Sequence, residues 1–443
     1  MTDLTQYRIK ARSAAELARG IEAAVASGEL TPGQRLPSVR RMAADAGLSP
    51  ATVSAGLAEL RRRGVVLSEQ RRGTRIGEGA PIGSARPPLP VPPGARDLSR
   101  GNPDPALLPD LARALARSEL PVRLYGEAPV IPELAELARE QLRADGLCGD
   151  ALCIVSGALD GIERVLQAHA RPGDRIAVEN PGYAALYDLL RAQGLLLVGV
   201  EVDDRGMLPD GLRRALEGGA STVVLTPRGQ NPTGAALDAG RARQLRAVLD
   251  GFPDALLIED DHLGAVAGSE LHTLSAGRTR WAATRSVAKA LGPDVRLAVL
   301  SGDPQTVARV QGRQQCGPGW VSHILQALVL SLWSDPAVER QVARASATYG
   351  ARRTLLLECL RRHGVPAHGA SGLNVWVPVP DEAGAVGALL QRGWVLASGA
   401  PHRLAGSAPA LRVTTATLRE REAERLAADL AEVLTPSGAS RSG

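Results

Sequence analysis

Lysine is almost absent from this chain of 443 residues. Of its 52 basic residues only two are lysines, Lys10 and Lys289, and all the others are arginines. Arginine carries a surface charge as well as lysine does, but only the lysine amine readily loses its proton and attacks a carbonyl carbon. Lys289, in the segment SVAKALGPDVR, is therefore a candidate for a chemical role. The alternative is a chance survivor of a bias against lysine, of which Lys10 is an example.

Other absences narrow the class of protein. The four cysteines form no CxxC pair and have no paired histidine spacing, so we expect neither a disulfide framework nor a zinc site and predict no bound metal. No apolar run reaches the roughly 18 residues of a membrane helix, and the first residues lack the apolar stretch of a signal peptide. We therefore expect a cytoplasmic protein without a membrane partner. Aromatic residues make up only 2% of the chain, so its core must consist mainly of Ala, Leu and Val.

The positive charge lies at one end of the chain. Residues 1–78 contain 13 basic and 8 acidic residues, whereas residues 79–443 contain 39 of each. The whole net charge of +5 is thus N-terminal. Such an asymmetry favours a module that binds a polyanion, with a solvated basic face as the alternative.

A segment rich in Pro, Gly and Ala divides the chain. Residues 77–97, GEGAPIGSARPPLPVPPGARD, have neither a helical nor a strand period. Their prolines favour an extended spacer. We predict a small domain over residues 1–76, a linker over 77–97, a large domain over 98–434 and a flexible tail over 435–443.

The small domain has the pattern of three helices and a hairpin. SAAELARGIEAAVASG places apolar residues on one helical face, and Ser38 is a predicted N-cap of a second helix. Ser49 and Pro50 begin a third, because a capping residue followed by proline is typical of a helix start. VVLSEQRRGTRI predicts two short strands around a basic turn.

This order resembles the winged helix of the GntR family of bacterial regulators, and GELTPGQRLPSVRRMAADAGLSPATVSAGLAELRRRGVV carries the resemblance. The resemblance implies binding to double-stranded DNA, with the third helix in the major groove. It further implies that Ser49, Thr52 and Ser54 face the DNA near the start of the third helix. Arg40 from the second helix, and Arg72 and Thr74 from the wing, would contact phosphates or the groove.

Beyond the linker, short apolar strands alternate with helices. RIAVE, STVVLTP and ALLIED are the clearest strands, and GIERVLQAHA and DAGRARQLRAVLDG are helical. This alternation predicts an α/β domain around a mostly parallel sheet, whose ligands bind beyond the carboxyl ends of the strands.

Polar motifs stand at several of those strand ends. Ser156, Gly157 and Ala158 precede a helix whose N–H groups can hold a phosphate, although an ordinary helix cap is the simpler alternative. QNPTG at 230–234 is either a functional motif or a proline turn. EDDH at 259–262 invites a metal hypothesis, but adjacent residues of a strand point to opposite faces.

In order and spacing these motifs resemble the fold-type I aminotransferases, which use pyridoxal 5′-phosphate (PLP). The resemblance runs from about residue 98 to 434 and implies a smaller C-terminal α/β subdomain. It implies that Lys289 forms the Schiff base with PLP and that Asp260 pairs with the pyridine nitrogen. It also implies that Asn231 bonds the ring hydroxyl. Phosphate ligands would be Ser286 and Arg296 with the turn of Ser156, Gly157 and Ala158.

Three further residues match the same family. Tyr125, in LYGEAP, matches the tyrosine that reaches the phosphate of the neighbouring subunit, and Tyr183, in ENPGY, matches the residue stacked on the ring. Arg412, in ALRVTT, matches the arginine that binds a substrate carboxylate. One departure is His262, which stands where the family usually has a tyrosine bonding the ring hydroxyl. Because histidine titrates near neutrality, His262 puts ordinary transaminase turnover in doubt more than PLP binding.

A basic winged helix joined to an aminotransferase-like domain resembles the MocR subfamily of GntR regulators, and TPRGQNPTG, IEDDH and SGLNVWVP fit it. The resemblance implies a head-to-tail homodimer whose affinity for DNA changes with PLP or a PLP–amino acid adduct. We expect a regulator of this type. The alternatives are an active PLP-dependent aminotransferase with an appended DNA-binding domain, and a regulator whose large domain is only a dimerisation scaffold.

Overall fold

The structure is a computed structural model, and it describes residues 11–62, 65–69, 73–77 and 91–435. They belong to an N-terminal module and a large domain, which are described separately. The predicted tail beyond Thr435 and the middle of the predicted linker lie outside the described residues.

The N-terminal module contains three helices and one hairpin. The helices are α1 (Ala14–Ala26), α2 (Val39–Ala46) and α3 (Pro50–Arg62). The antiparallel hairpin consists of β1 (Val66–Glu69) and β2 (Gly73–Ile76). This order confirms the winged helix that the sequence predicted.

Local sequence explains where these helices begin and end. Ser38 accepts a hydrogen bond from the backbone N–H of Arg41 and caps α2, and Gly47 ends α2 in the left-handed conformation. The hydroxyl of Ser49 accepts from the N–H of Thr52 at 3.1 Å, as expected of a residue before the first turn of α3.

Helices α1 and α3 approach each other closely at Gly56. A Cβ atom at this position would lie 2.9 Å from the carbonyl oxygen of Ala14. Leu17, Val53 and Leu57 are fully buried around this contact. A glycine in the middle of α3 therefore sets the distance between the two helices.

The large domain alternates strands and helices. Its helices are α4 (Leu111–Arg117), α5 (Pro132–Ala144), α6 (Ala158–His169), α7 (Ala184–Ala192), α8 (Pro209–Glu217), α9 (Ala239–Asp250), α10 (Ala288–Leu291), α11 (Pro304–Gln315), α12 (His323–Trp333), α13 (Pro336–Arg362), α14 (Glu382–Gln391) and α15 (Glu420–Leu434). Its strands are β3 (Arg96–Asp97), β4 (Leu152–Val155), β5 (Arg175–Asn180), β6 (Leu196–Asp203), β7 (Gly206–Met207), β8 (Ala220–Leu225), β9 (Leu256–Asp261), β10 (Trp281–Ser286), β11 (Ala298–Gly302), β12 (Asn374–Pro378), β13 (Trp394–Val395), β14 (Ala397–Ser398) and β15 (Ala410–Thr414).

The main sheet has eight strands in the order β4-β11-β10-β9-β8-β5-β6-β7. Strands β8, β9 and β10 are mutually parallel, and β11 runs antiparallel to both β10 and β4. Strand β4 therefore points in the same direction as β8, β9 and β10. The prediction of an α/β fold around a mostly parallel sheet is confirmed.

A smaller sheet, β12-β15-β14, packs with α13, α14 and α15 around a second apolar cluster that includes Leu356, Val375, Leu411 and Leu426. This is the C-terminal subdomain that the resemblance implied. Residues 96 and 97, at the end of the predicted linker, form β3 beside β13. Among the described residues, no helix is both long enough and apolar enough to span a bilayer.

Candidate cofactor and effector site

A cavity of about 250 Å³ lies where β8, β9 and β10 end. The cavity is lined by polar groups at these strand ends, by residues of the C-terminal subdomain and by the segment that follows β3. Of the residues predicted from the sequence, the cavity is lined by Gly157, Ala158, Tyr183, Asn231, Asp260, His262, Ser286, Lys289, Arg296 and Arg412.

Lys289 follows β10 on the short helix α10, and its side chain is largely buried. The Nζ atom donates a hydrogen bond to the carbonyl oxygen of Gly101 at 2.6 Å. Burial, together with the nearby charge of Arg412, lowers the pKa of Lys289 to about 8. Roughly one tenth of the amine is thus neutral at pH 7, and only the neutral amine is a nucleophile.

Asp260 lies near the end of β9 and is 5% exposed. Burial raises its pKa to about 7, and the charge of Asp261 adds to the effect. The hydroxyl of Thr284 donates to its carboxylate at 3.2 Å. A cationic group placed against Asp260 would offset this burial and favour the ionised carboxylate.

The two acidic neighbours of Asp260 have other partners. Glu259 accepts hydrogen bonds from Thr273 and from the N–H of Leu274. Asp261 pairs with Arg228 at 2.8 Å and with Arg285 at 2.9 Å. The three carboxylates therefore do not converge, and within the described ranges no group of three or more His, Cys, Asp or Glu has the arrangement of a metal site.

His262 lines the cavity next to the amine. Burial lowers its pKa to about 4, and the charge of Lys289 acts in the same direction. The imidazole is therefore neutral at pH 7, and the expectation that it titrates near neutrality is wrong. A neutral histidine can still donate one hydrogen bond into the cavity.

The turn before α6 closes against Arg296. Gly157 has φ +103°, and a Cβ atom there would lie 2.9 Å from Nη2 of Arg296. Arg296 itself donates to the carbonyl oxygen of Ser156 at 3.0 Å. A guanidinium thus lies at a glycine turn that opens a helix, which is a suitable arrangement for an anion.

The remaining residues predicted to hold the phosphate have local partners. The N–H of Ser156 donates to Asp160 at 2.9 Å, and Ser156 is not among the residues that line the cavity. The hydroxyl of Ser286 accepts from the N–H of Ala288 at 3.2 Å.

Arg412, on β15, is a buried cation among neutral acceptors. Nη1 donates to Oδ1 of Asn231 at 3.1 Å and to Nε2 of His402 at 3.3 Å, and Nη2 donates to the carbonyl oxygen of Ser99. Its Nε is buried and has no hydrogen-bond partner among the described residues. Burial lowers the pKa of Arg412 to about 10.

The two predicted tyrosines lie in different places. Tyr183 lines the cavity, and burial raises the pKa of its hydroxyl. Tyr125 is 93% exposed and contacts Trp320 edge-on, with 5.5 Å between ring centroids. Tyr125 is not part of the cavity of its own chain.

Several lining residues were missed by the sequence analysis. Gly101 comes from a segment without a recognised motif, and Asn374 lies in SGLNVWVP, a stretch that carried the subfamily resemblance but no predicted site residue. Thr226 was identifiable in principle, because it directly follows β8 at the sheet edge where ligands bind. His402, which contacts Arg412 but is not one of the lining residues, was also missed, and its contacts are described below.

Of the residues predicted to contact DNA, Arg40 lies on α2, Thr52 and Ser54 lie on α3, Ser49 directly precedes α3, and Thr74 lies on β2. Arg40 and Ser54 are exposed, and Thr74 is partly buried in β2. The hydroxyls of Ser49 and Thr52 are hydrogen-bonded to each other at 2.8 Å. Arg72 lies outside the described residues.

The donors of the cavity fit PLP. A buried carboxylate suits a protonated pyridine nitrogen, a partly neutral amine suits the aldehyde, and Arg296 at the glycine turn suits the phosphate. Because residue 157 is a glycine, the guanidinium can lie directly against the turn, where a Cβ atom would be 2.9 Å from Nη2 of Arg296. PLP is therefore the cofactor that this cavity accommodates.

Comparison with known proteins agrees with both domains. Residues 95–430 match the family described as aminotransferase class I and II, and residues 13–76 match the family of bacterial regulatory proteins, gntR family. An archaeal alanine:glyoxylate aminotransferase of known structure is 22% identical, with a TM-score of 0.71, over 78% of this chain and 91% of that chain. At this identity the likeness concerns the fold.

Two regulators resemble the chain over most of its length. The vitamin B6 salvage pathway transcriptional repressor PtsJ of Salmonella typhimurium is 38% identical over 96% of this chain and 99% of its own. The HTH-type transcriptional regulator TauR of Rhodobacter capsulatus is 29% identical over 80% of this chain and 82% of its own. The chain belongs to the aminotransferase class I and II family and, with its GntR-type winged helix, to the MocR subfamily of PLP-dependent, DNA-binding transcriptional regulators.

Proposed function

We propose that this protein binds an operator through its winged helix and changes its affinity for DNA when PLP, or PLP together with an amino acid, occupies the cavity. One observation carries the proposal. Lys289, one of only two lysines, shares a cavity with a buried carboxylate and an arginine at a glycine turn, in a chain that also contains a DNA-binding module.

Each side chain has a role that its chemistry supports. Lys289 would bind PLP covalently, and Asp260 would pair with the ring nitrogen. Asn231 and His262 would bond the ring hydroxyl, and Tyr183 would stack on the ring. Phosphate ligands would be Ser286, Arg296 and the N–H groups of Gly157 and Ala158. When bound, PLP supplies an electron sink for bonds at an attached amino group.

Arg412 supports an amino acid as a second ligand. Arg412 is 9% exposed, and the hydrogen-bond acceptors described around its guanidinium are all neutral. A buried cation without a counter-charge is unfavourable, and a bidentate carboxylate would supply that charge. We therefore assign the carboxylate of an amino acid effector to Arg412.

Both ligands would act on the same short segment. Residues 99–101 are bonded to Lys289 through the carbonyl of Gly101 and to Arg412 through the carbonyl of Ser99. Once Lys289 is bound to the cofactor, it no longer carries the free ammonium that donates to Gly101. A carboxylate on Arg412 would compete with the carbonyl of Ser99. Because this segment follows the linker in the chain, occupancy of the cavity would change contacts at the end of the linker.

We also propose a homodimer, arranged head to tail, in the cytoplasm. Val122, Leu124 and Tyr125 are 86%, 68% and 93% exposed, and Ile324 is 54% exposed. Large apolar side chains exposed together are typical of interaction surfaces. Tyr125 would then reach the phosphate of the partner subunit. The name of the relative PtsJ suggests genes of vitamin B6 salvage as targets.

The decisive experiment is sequencing of genomic DNA fragments retained by the purified protein, with and without PLP. We expect discrete sites whose occupancy changes with PLP, because a ligand that prefers one of two conformations shifts their populations. The variant Lys289→Ala should lose the visible absorption of bound cofactor and the effect of PLP on DNA, while it keeps its fold.

The other outcomes distinguish the alternatives. Discrete sites indifferent to PLP and to every amino acid tested would support a scaffold role for the large domain. Salt-sensitive binding without discrete sites would support an aminotransferase with an appended domain.

A further inference from the structure

His402 is a buried histidine beside the cavity, and its ring contacts Arg412, Gly182 and Trp376. It ends a short 3₁₀ turn, Ala400–His402, between β14 and β15, and is 6% exposed. Nε2 lies 3.3 Å from Nη1 of Arg412, and Nδ1 lies 3.0 Å from the carbonyl oxygen of Gly182. The ring packs edge-on against Trp376, with 6.3 Å between centroids.

These partners determine the tautomer. A guanidinium can only donate, so Nε2 of His402 must accept. A carbonyl oxygen can only accept, so Nδ1 must carry the hydrogen. His402 is therefore neutral, and its Nε2 lone pair is directed to Arg412.

The backbone of His402 holds the same neighbour as its ring does. The N–H of Gly182 donates to the carbonyl oxygen of His402 at 2.8 Å, so both polar groups of the Gly182 backbone are bonded to one residue. Gly182 directly precedes Tyr183, which lines the cavity. His402 thus joins Arg412 to the turn that carries Tyr183.

We propose that His402 is a positioning residue for the carboxylate subsite, which holds the guanidinium of Arg412 in place without neutralising it. An aspartate or glutamate in this position would also orient Arg412, but its charge would compete with the ligand. A neutral acceptor leaves the positive charge of Arg412 for an incoming carboxylate. This inference rests on the proposed role of Arg412 in binding an amino acid.

The test compares wild-type protein with His402→Phe and His402→Gln, all full-length and loaded with PLP. The probe is whichever common L-amino acid, tested at equal concentration, changes the cofactor absorption of the wild type most. Phenylalanine keeps a ring but has no acceptor, whereas glutamine keeps a neutral acceptor. In His402→Phe we expect the affinity for the amino acid to fall by about tenfold or more. This loss should exceed any loss of affinity for PLP in the same variant. His402→Gln should recover most of the affinity for the amino acid.

The isosteric pair His402→Gln and His402→Glu gives a second measurement that does not depend on the phenylalanine variant folding. We expect His402→Glu to bind the amino acid about tenfold or more weakly than His402→Gln, because its carboxylate pairs with Arg412. Equal affinities in this pair, or an unchanged affinity in a folded His402→Phe, would overturn the role of His402 while leaving Arg412 as the carboxylate ligand. A wild type that binds PLP but no amino acid would overturn both assignments.

Discussion

Capture of PLP should accelerate about tenfold between pH 7 and pH 9 and then level off. The bond to the cofactor forms from the neutral amine, so the rate follows the deprotonated fraction of Lys289. Burial and the charge of Arg412 lower the pKa of Lys289 from 10.5 to about 8. Because the pKa is lowered, the neutral amine accumulates as pH rises through about 8 rather than through the usual range.

The size of the effect follows from the two pKa values. With a pKa of about 8, roughly one tenth of the amine is neutral at pH 7 and roughly nine tenths at pH 9. With the ordinary value of 10.5, these fractions are about one in 3,000 and one in 30. An ordinary lysine would thus give a rise of about a hundredfold over the same interval, with no plateau.

Stopped-flow absorbance after mixing apoprotein with PLP measures this rate. Lys10→Arg is the matched control, because it leaves Lys289 as the only lysine of the chain and should not change the profile. Lys289→Ala should show no capture, and a free amine mixed with PLP at each pH corrects for titration of the cofactor itself. A hundredfold rise without a plateau would refute the argument that the cavity lowers the pKa of Lys289.

Three further predictions concern the phosphate turn, the winged helix and the wing. Gly157→Ala should weaken PLP binding about tenfold or more, because its Cβ, 2.9 Å from Nη2 of Arg296, would displace the guanidinium that is proposed to bind the phosphate. Gly173→Ala is the matched control, since it has a similar φ and no described atom within 4 Å, and it should leave equilibrium binding unchanged. Gly56→Ala should lower the free energy of unfolding by about 1–3 kcal/mol in a denaturant titration, because its Cβ would meet the backbone of α1. The control is Gly387→Ala, in an open position of α14, which should raise the free energy of unfolding by about 0.5–1 kcal/mol. Arg72→Gln should weaken binding to all DNA sequences and reduce the salt slope by about one unit; loss of discrimination at a single base pair would instead indicate a base contact.

Much of the cavity could be predicted because its residues follow local patterns. Asp260 lies near the end of β9 and Lys289 shortly follows β10. Strand β9 is recognisable in the sequence from its run of apolar residues. In a parallel sheet the carboxyl ends of neighbouring strands meet at one edge, so strand order along the sequence already brings such residues together. The capping residues Ser38 and Ser49 are similar cases, because a helix start depends on a few adjacent residues.

Contacts between distant segments could not be predicted in this way. Lys289 bonds to Gly101, 188 residues earlier, and Arg412 bonds to Asn231, 181 residues earlier. No periodicity in the sequence indicates which carbonyl a buried cation will meet. His402 was missed for the same reason, since its role depends on Gly182, which is 220 residues away.

The protonation of His262 illustrates a different limit. The sequence shows a histidine, and a histidine in water titrates near pH 6.5. Its pKa is lowered to about 4 because the structure buries the ring next to an ammonium group. Burial results from the whole fold, so the direction of this shift was not available from the motif.

The buried charges of the cavity argue against a scaffold role for the large domain. Burial raises the pKa of Asp260 from 3.8 to about 7, so the free energy of unfolding falls as pH rises from about 4 to about 7, by on the order of 4 kcal/mol in all. Lys289 and Arg412 have lowered pKa values, so their charged forms are also disfavoured by burial. A dimerisation scaffold would be more stable with apolar residues in these positions. PLP would place a cationic ring nitrogen against Asp260 and an aldehyde against Lys289, and an amino acid would place a carboxylate against Arg412. These contacts would offset the unfavourable burial of all three side chains. Their presence in one cavity therefore favours a site that binds and senses ligands.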